Sequence, residues 1–154
     1  MTALQYAVES WSQYAPDAEK LWPLHWAEIA LDQSTIALDV DWERYAALDA
    51  AGKLHIVTAR DAQGILQGYC LGMVTGHLHY KSTLHCQYDV YWLAPAYRRG
   101  LAGYHLFRVM ERTLKARGVK KLLSACKLSL DVGPLFTRMQ WRETERTFTK
   151  YLGD

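Results

Sequence analysis

The segment Asp89-Val90-Tyr91-Trp92-Leu93-Ala94-Pro95-Ala96-Tyr97-Arg98-Arg99-Gly100-Leu101-Ala102-Gly103 changes periodicity part-way along. Its first five residues are aromatic or apolar except for Asp89 and read as the end of a strand. Pro95 lies just beyond that strand, and a loop with two arginines and two glycines follows and opens a helix. A helix N-terminus offers unpaired N–H groups and the positive end of the dipole. Glycines let the backbone approach a bound phosphate closely. Arg98 and Arg99 add charge-assisted donors. The loop reads as a pyrophosphate cradle or as a tight strand-to-helix turn with solvated arginines. It contains neither GxxxxGK[ST] nor GxGxxG, which argues against Walker and Rossmann sites.

Downstream, Leu106, Met110 and Leu114 recur at i, i+4 and i+8, which predicts a helix over 101–117 stopped by Gly118. A strand over 119–126 follows, then a short helix over 131–139 with Pro134 in its first turn, then a last strand over 142–152. Upstream, residues 83–93 read as a long strand. Residues 77–82 form a polar, aromatic connection to it. Residues 54–60 and 65–75 read as strands around the turn Asp61-Ala62-Gln63-Gly64. A helix is predicted over 16–31, with Pro16 in its first turn and an apolar face of Leu21, Trp22, Leu24, Trp26, Ile29 and Leu31. Pro23 predicts a kink or restart. Asp41 can cap a second helix over 42–51, ended by Gly52, and a weaker strand is predicted over 4–8. Trp22, Trp26, Trp42 and Tyr45 are expected in the core. This order implies an α/β fold: a mixed central sheet with helices on both faces.

The chain has 154 residues, which suits a single domain over 1–154 with a sizeable core. Half the residues are apolar and 22% are charged, an ordinary globular composition. A net charge of +2 argues against a dedicated nucleic-acid binder. The charge is segregated: residues 1–52 carry nine acids and two bases, and residues 98–121 carry eight bases and one acid. Either the two regions suit a cationic and an anionic partner, or they are two solvated helix faces of opposite sign. Cys70, Cys86 and Cys126 form no CxxC pair, so reduced thiols in a cytoplasmic protein are expected. The N-terminus lacks the features of a signal peptide, and no apolar run approaches the length of a membrane span. His77, His79, His85 and Cys86 show no closed ligand spacing, so no metal site is expected.

Pro95 through Gly103, set between a strand and a helix, resembles the acyl-CoA-binding segment of the GNAT superfamily of N-acyltransferases. The element order also matches, as far as Gly133-Pro134-Leu135-Phe136-Thr137-Arg138-Met139-Gln140-Trp141, where the family often carries Leu-Tyr-x-x-Leu-Gly-Phe. His25-Trp26-x-Glu28, His77-Leu78-His79-Tyr80 and Asp89-Val90-Tyr91-Trp92 are similar to small phage-encoded members. The resemblance covers residues 15–152. It implies acetyl-CoA as the acyl donor. Its pantetheine arm would lie between strand 88–93 and strand 119–126, against backbone around Trp92 and Leu93. Its pyrophosphate would sit on N–H groups of Arg99, Gly100, Leu101, Ala102, Gly103 and Tyr104, with Arg98 beside them. Backbone N–H near Leu93 would polarise the thioester carbonyl. The chain departs from the family at two points. Tyr97 stands at the first place of Arg/Gln-x-x-Gly-x-Gly/Ala, and Phe136 stands where a tyrosine often acts as general acid. Either Tyr80, Tyr97 or a water delivers a proton to the leaving thiolate, or acid help is dispensable.

Amine acetylation needs a neutral amine and therefore a proton acceptor. Asp89 is the leading base, because it interrupts an apolar strand and apolar surroundings disfavour a charged carboxylate. His79 with Tyr80 could relay protons at the substrate mouth, and His77 shares a face with His79. His25 and Glu28, at i and i+3, could bind a cationic acceptor; Glu43 is a further acid of the same kind. Lys127, beyond strand 119–126, is a contact candidate for the substrate. Cys126 is expected to be a small buried hydrophobe. The expected activity is acetyl transfer from acetyl-CoA to a primary amine of a small molecule or protein. The competing readings are a non-catalytic acyl-CoA-binding or protein-interaction module and a nucleotide-binding regulator. The richness in Trp and Tyr suggests a homodimer.

Overall fold

Ser10 begins the first helix. Its hydroxyl accepts from the Gln13 N–H, and the Gln13 side chain accepts from the Ser10 N–H at 2.9 Å, a reciprocal capping box. That box starts helix α1 at Trp11, five residues before the expected start at Pro16, and α1 runs unbroken over Trp11–Ile29 with Pro16 and Pro23 inside it. The residues that α1 buries are Trp11, Tyr14, Ala18, Trp22 and His25. This 3–4–4–3 spacing defines one helical stripe. The expected stripe was rotated: Leu24 and Leu31 are exposed.

The computed structural model describes residues 3–153. They fall into two compact units, Met1–Ser124 and Ala125–Asp154. In the first unit, strand β1 (Gln5–Glu9) precedes α1, and α2 (Trp42–Ala50) follows it, capped by the Asp41 carboxylate on the Arg44 N–H at 2.9 Å. Strands β2 (Leu54–Arg60), β3 (Leu66–His77) and β4 (Tyr80–Leu93) form an antiparallel meander. A 3-10 turn over Pro95–Tyr97 leads to α3 (Ala102–Ala116) and then to β5 (Val119–Leu123). The sheet order is β1-β2-β3-β4-β5, and only β4 with β5 is parallel.

Strand alternation sends side chains to two cores. Leu54, Ile56, Tyr69 and Leu71 join the aromatic residues of α1. On the other face α3 buries Leu106, Phe107, Met110 and Leu114, the helical spacing read from the sequence. The mixed sheet with helices on both faces is therefore present. No helix among the described residues is long and apolar enough to cross a membrane.

The second unit holds one short helix, α4 (Gly133–Arg138), in which Phe136 is buried and its ring lies 4.9 Å from that of Trp141. The strand expected over 142–152 is absent: these residues have no regular secondary structure. Arg142, Glu143, Glu145, Arg146 and Lys150 put charge on both alternating faces, leaving little apolar area to repay the ordering of a strand.

Candidate active site

The ladder between β3 and β4 slips by one residue. Leu71 pairs with Val90 and Gly72 with Tyr88, so Asp89 has no residue opposite it. Such a bulge bends the strand and re-aims its side chains. Tyr88 and Tyr91, three residues apart, both lie against Phe107 of α3, with ring centroids 6.0 and 5.3 Å away. Val90 and Trp92 pack into the core beside α1. Asp89 and Val90 therefore share the side of the sheet covered by α1 and α2, and the simple alternation expected at Asp89 is broken. Tyr45 of α2 donates a hydrogen bond to Oδ2 of Asp89. Asp89 is exposed, so the apolar surroundings expected for it are replaced by an open position beside one fixed donor. Gly72 makes room for the slip, since a Cβ there would collide with Cys86 Sγ and lie 3.0 Å from Met110 Cε.

Beyond the bulge, β4 loses its partner on one side. Pairing with β5 runs from Leu84↔Val119 to Gln87↔Leu123 and stops. Among the described residues, no strand pairs with 88–93 on that side. The Ala94 N–H donates to Gln67 O on the β3 side at 2.7 Å. Backbone groups alternate along a strand, so Trp92 faces β3 while Tyr91 and Leu93 turn towards the other side. The backbone that turns away from β3 is thus that of Tyr91 and Leu93, not of Trp92, and Tyr91 was not among the residues read from the sequence.

The loop after β4 turns through Gly100, whose φ of 91° lies in the left-handed region that suits glycine. Helix α3 begins at Ala102 without a side-chain cap, and its first closing bond is His105 N–H to Leu101 O at 2.9 Å. The N–H groups of Ala102, Gly103 and Tyr104 precede that bond and point out of the helix end. Arg99 is exposed on the same loop.

Arg98 does something the sequence did not suggest. Its Nε donates to Leu93 O at 2.8 Å, Nη2 donates to Glu28 Oε2 at 2.7 Å, and Nη1 donates to Glu28 Oε1. The guanidinium also lies over the Trp92 ring, 5.9 Å from its centroid, and Trp92 Nε1 donates to Glu28 Oε2 at 2.9 Å. Arg98 is turned towards α1 and clasps the loop to the end of β4. The Arg98 hydrogen bonds are the main cause that holds Glu28 below the usual carboxylate range. Glu28, expected to face the acceptor, therefore already neutralises a cation of its own chain.

Other expected residues lie elsewhere. His25 is buried, with Nδ1 sharing a 2.9 Å hydrogen bond with the Tyr69 hydroxyl. Burial pushes it down to about 4, so it is a neutral core residue near neutral pH. His77, His79 and Tyr80 occupy the β3–β4 hairpin tip, where the His77 ring lies 5.3 Å from His79 and 5.0 Å from Tyr80. Asp89 stands nine positions along the strand from Tyr80, roughly 30 Å at about 3.3 Å per residue. The structure does not bring the histidine pair to the base. Lys127 belongs to the second unit, where it forms an isolated bridge with Leu130. Cys126 lies past the end of β5 and is only half-buried, its Sγ donating to Asp131 Oδ1 at 3.3 Å. No group of three or more His, Cys, Asp or Glu among the described residues is placed to hold a metal ion. Tyr45, read as core, was missed; a tyrosine on an apolar helix face needs a partner for its hydroxyl, and that was the available signal.

The acetyltransferase (GNAT) family matches residues 8–132. This chain belongs to that family. An aminoglycoside acetyltransferase from an uncultured soil metagenomic sample superposes with a TM-score of 0.75 at 13% identity, covering 97% of each chain. A ribosomal-protein-alanine N-acetyltransferase from Brucella melitensis gives 0.70 at 14% identity, over 98% of this chain and 100% of that one. A predicted acetyltransferase from Clostridium acetobutylicum, solved with acetyl-CoA, gives 0.71 at 10% identity, over 97% and 96%. At these identities the likeness is one of fold. No curated protein sequence matches the chain significantly.

Proposed function

We propose that this acetyltransferase moves an acetyl group from acetyl-CoA to a primary amine by direct attack in a ternary complex. The observation that carries the reading is the end of β4–β5 strand pairing at Gln87↔Leu123, next to the carboxylate re-aimed by the bulge at Asp89. Acetyl-CoA supplies an activated thioester when bound. The Tyr91 and Leu93 backbone would bind its pantetheine amides as an added strand would. The first-turn N–H groups of α3, with Arg99, would hold the pyrophosphate. Asp89 would accept the proton that the attacking amine must lose. The exposed acids Asp39, Asp41 and Glu43, with the acidic bias of residues 1–52, favour a cationic acceptor. The free cysteines Cys70, Cys86 and Cys126 suit a reducing, cytoplasmic setting.

Calorimetry with acetyl-CoA, compared with coenzyme A and ATP, is the direct test. One-to-one binding, weakened about tenfold by Arg99→Ala, is expected. No binding at millimolar acetyl-CoA would overturn the reading. Release of free thiol is then followed with four amines: sisomicin, spermidine, glucosamine 6-phosphate and a peptide beginning with alanine.

A further inference from the structure

Two groups of side chains stand outside the site as described, and one pair lies within it. A cleft of about 470 Å³ is lined in part by Glu9, Asp49, His55, Thr113 and Arg117. Its polar groups bond to their own chain: Arg117 donates to Leu54 O at 2.9 Å and to His55 Nδ1 at 3.0 Å, and His55 Nε2 meets Thr113 Oγ1 at 2.7 Å. The histidine tip is exposed and assembles no ligand set. The pair within the site is formed by Tyr45 and Asp89, and it carries an argument further.

The Tyr45 ring is held on two sides. It stacks on Trp11, with centroids 4.7 Å apart and planes 12° apart, and meets Trp22 edge-on at 5.2 Å and 75°. Trp11 is itself tied to α2, its N–H donating to Asp49 Oδ2 at 3.0 Å. A ring locked in this way fixes where its hydroxyl points, and the hydroxyl points at Oδ2 of Asp89. Burial, and then the bond to Asp89, push the Tyr45 phenol well above its ordinary range, so it remains a protonated donor.

We infer that Tyr45 is a positioning residue, which holds Asp89 Oδ2 so that Oδ1 is the oxygen presented to the acceptor amine. The inference rests on the acyl-transfer reading above. In the step concerned, the amine nitrogen bonds to the acetyl carbon, the carbon–sulfur bond breaks and its electron pair leaves on sulfur. The proton lost by nitrogen goes to Asp89 Oδ1 and from there to solvent. An exposed carboxylate on a bulge has rotational freedom, and one fixed donor removes much of it. Orientation of this kind is worth rate because a proton acceptor must be within hydrogen-bond reach.

Steady-state kinetics of Tyr45→Phe, Asp89→Asn and the double variant, with the four amines named above, test this. Tyr45→Phe keeps the stacked ring and removes only the hydroxyl. Expected are a fall in kcat of about tenfold, acetyl-CoA affinity by calorimetry within about twofold of wild type, and a double variant no slower than Asp89→Asn alone. A packing role for Tyr45 would instead slow the enzyme by the same factor in both backgrounds, and that result would overturn the inference. Tyr45→Phe turning over at the wild-type rate while Asp89→Asn is inactive would sink the inference alone. Asp89→Asn at the wild-type rate would remove Asp89 as the base and overturn this inference while the transferase reading stands. No thiol release with any of the four amines would count against the transferase reading and take this inference with it.

Discussion

The two ends of β4 are built from similar materials and do different things. At one end, His77, His79, Tyr80 and His85 gather on a hairpin tip, with Leu78 almost wholly exposed. At the other, Tyr88 through Leu93 carry fewer ionisable groups, but each is held: Asp89 by Tyr45, Trp92 by Glu28, and the Leu93 carbonyl by Arg98. The tip has the richer catalytic-looking composition and lacks the cover of two helical layers. The C-terminal end has one carboxylate, the point where β5 stops pairing, and the start of α3. Chemistry needs groups fixed relative to one another, and only the second end supplies that.

The largest expected effect separates the two ends directly. Asp89→Asn should lower kcat by about 100-fold or more, within the usual range for losing a general base. His79→Ala and Tyr80→Phe should stay within about twofold. Parallel steady-state rates decide it, and a tenfold loss from either tip variant would break the comparison.

A second pair of substitutions asks whether the bulge end is as tightly built as its packing implies. Gly72→Ala forces a Cβ against Cys86 and Met110, and should destabilise by about 1–3 kcal/mol, the usual cost of overpacking. Gly76→Ala, near the tip, meets nothing within 4 Å and should change stability by less than about 0.5 kcal/mol. Urea denaturation of both variants measures the difference. Equal midpoints would mean that the slip at Asp89 does not depend on Gly72, which pairs with Tyr88.

The smallest effect concerns pH. His25 packs beneath Trp92 and titrates at about 4 in the folded protein, against 6.5 for the free side chain. The unfolded chain therefore takes up this proton first as pH falls. Stability from a neutral His25 is complete above about pH 6.5 and is lost progressively down to about pH 4, amounting to about 1 kcal/mol at pH 5.5. Thermal unfolding of His25→Gln should show a shallower fall between pH 7 and 5.5 than wild type. An unchanged slope would remove His25 from the acid sensitivity of this end.

Much of the fold was legible because it depends on local rules. The stripe on α3 and the bounds of β2 follow from spacing and turn residues that act within a few positions. The start of α1 lies five residues before Pro16 because the capping box at Ser10 and Gln13, itself a local signal, closes the first turn there. The strand expected over 142–152 had a run of β-branched and aromatic residues but no apolar face, and propensity alone does not order a segment. Glu28 and Arg98 were each noticed but their mutual bond was not, since they lie 70 positions apart and nothing local says that they meet.

By itself the sequence determined the order of elements, the strand-to-helix loop with its glycines, and the family those residues resemble, because periodicity, capping and turn chemistry are short-range properties of the chain. Only the tertiary structure decided which groups share the site. A one-residue slip in a ladder sets the side of the sheet on which Asp89 stands, and a 14-residue strand carries His79 and Tyr80 away from it. Tyr45 reaches Asp89 from 44 positions away because two tryptophans of α1 fix its ring. Hydrogen bonds and packing act over a few ångströms of space, and separation along the chain does not measure that distance.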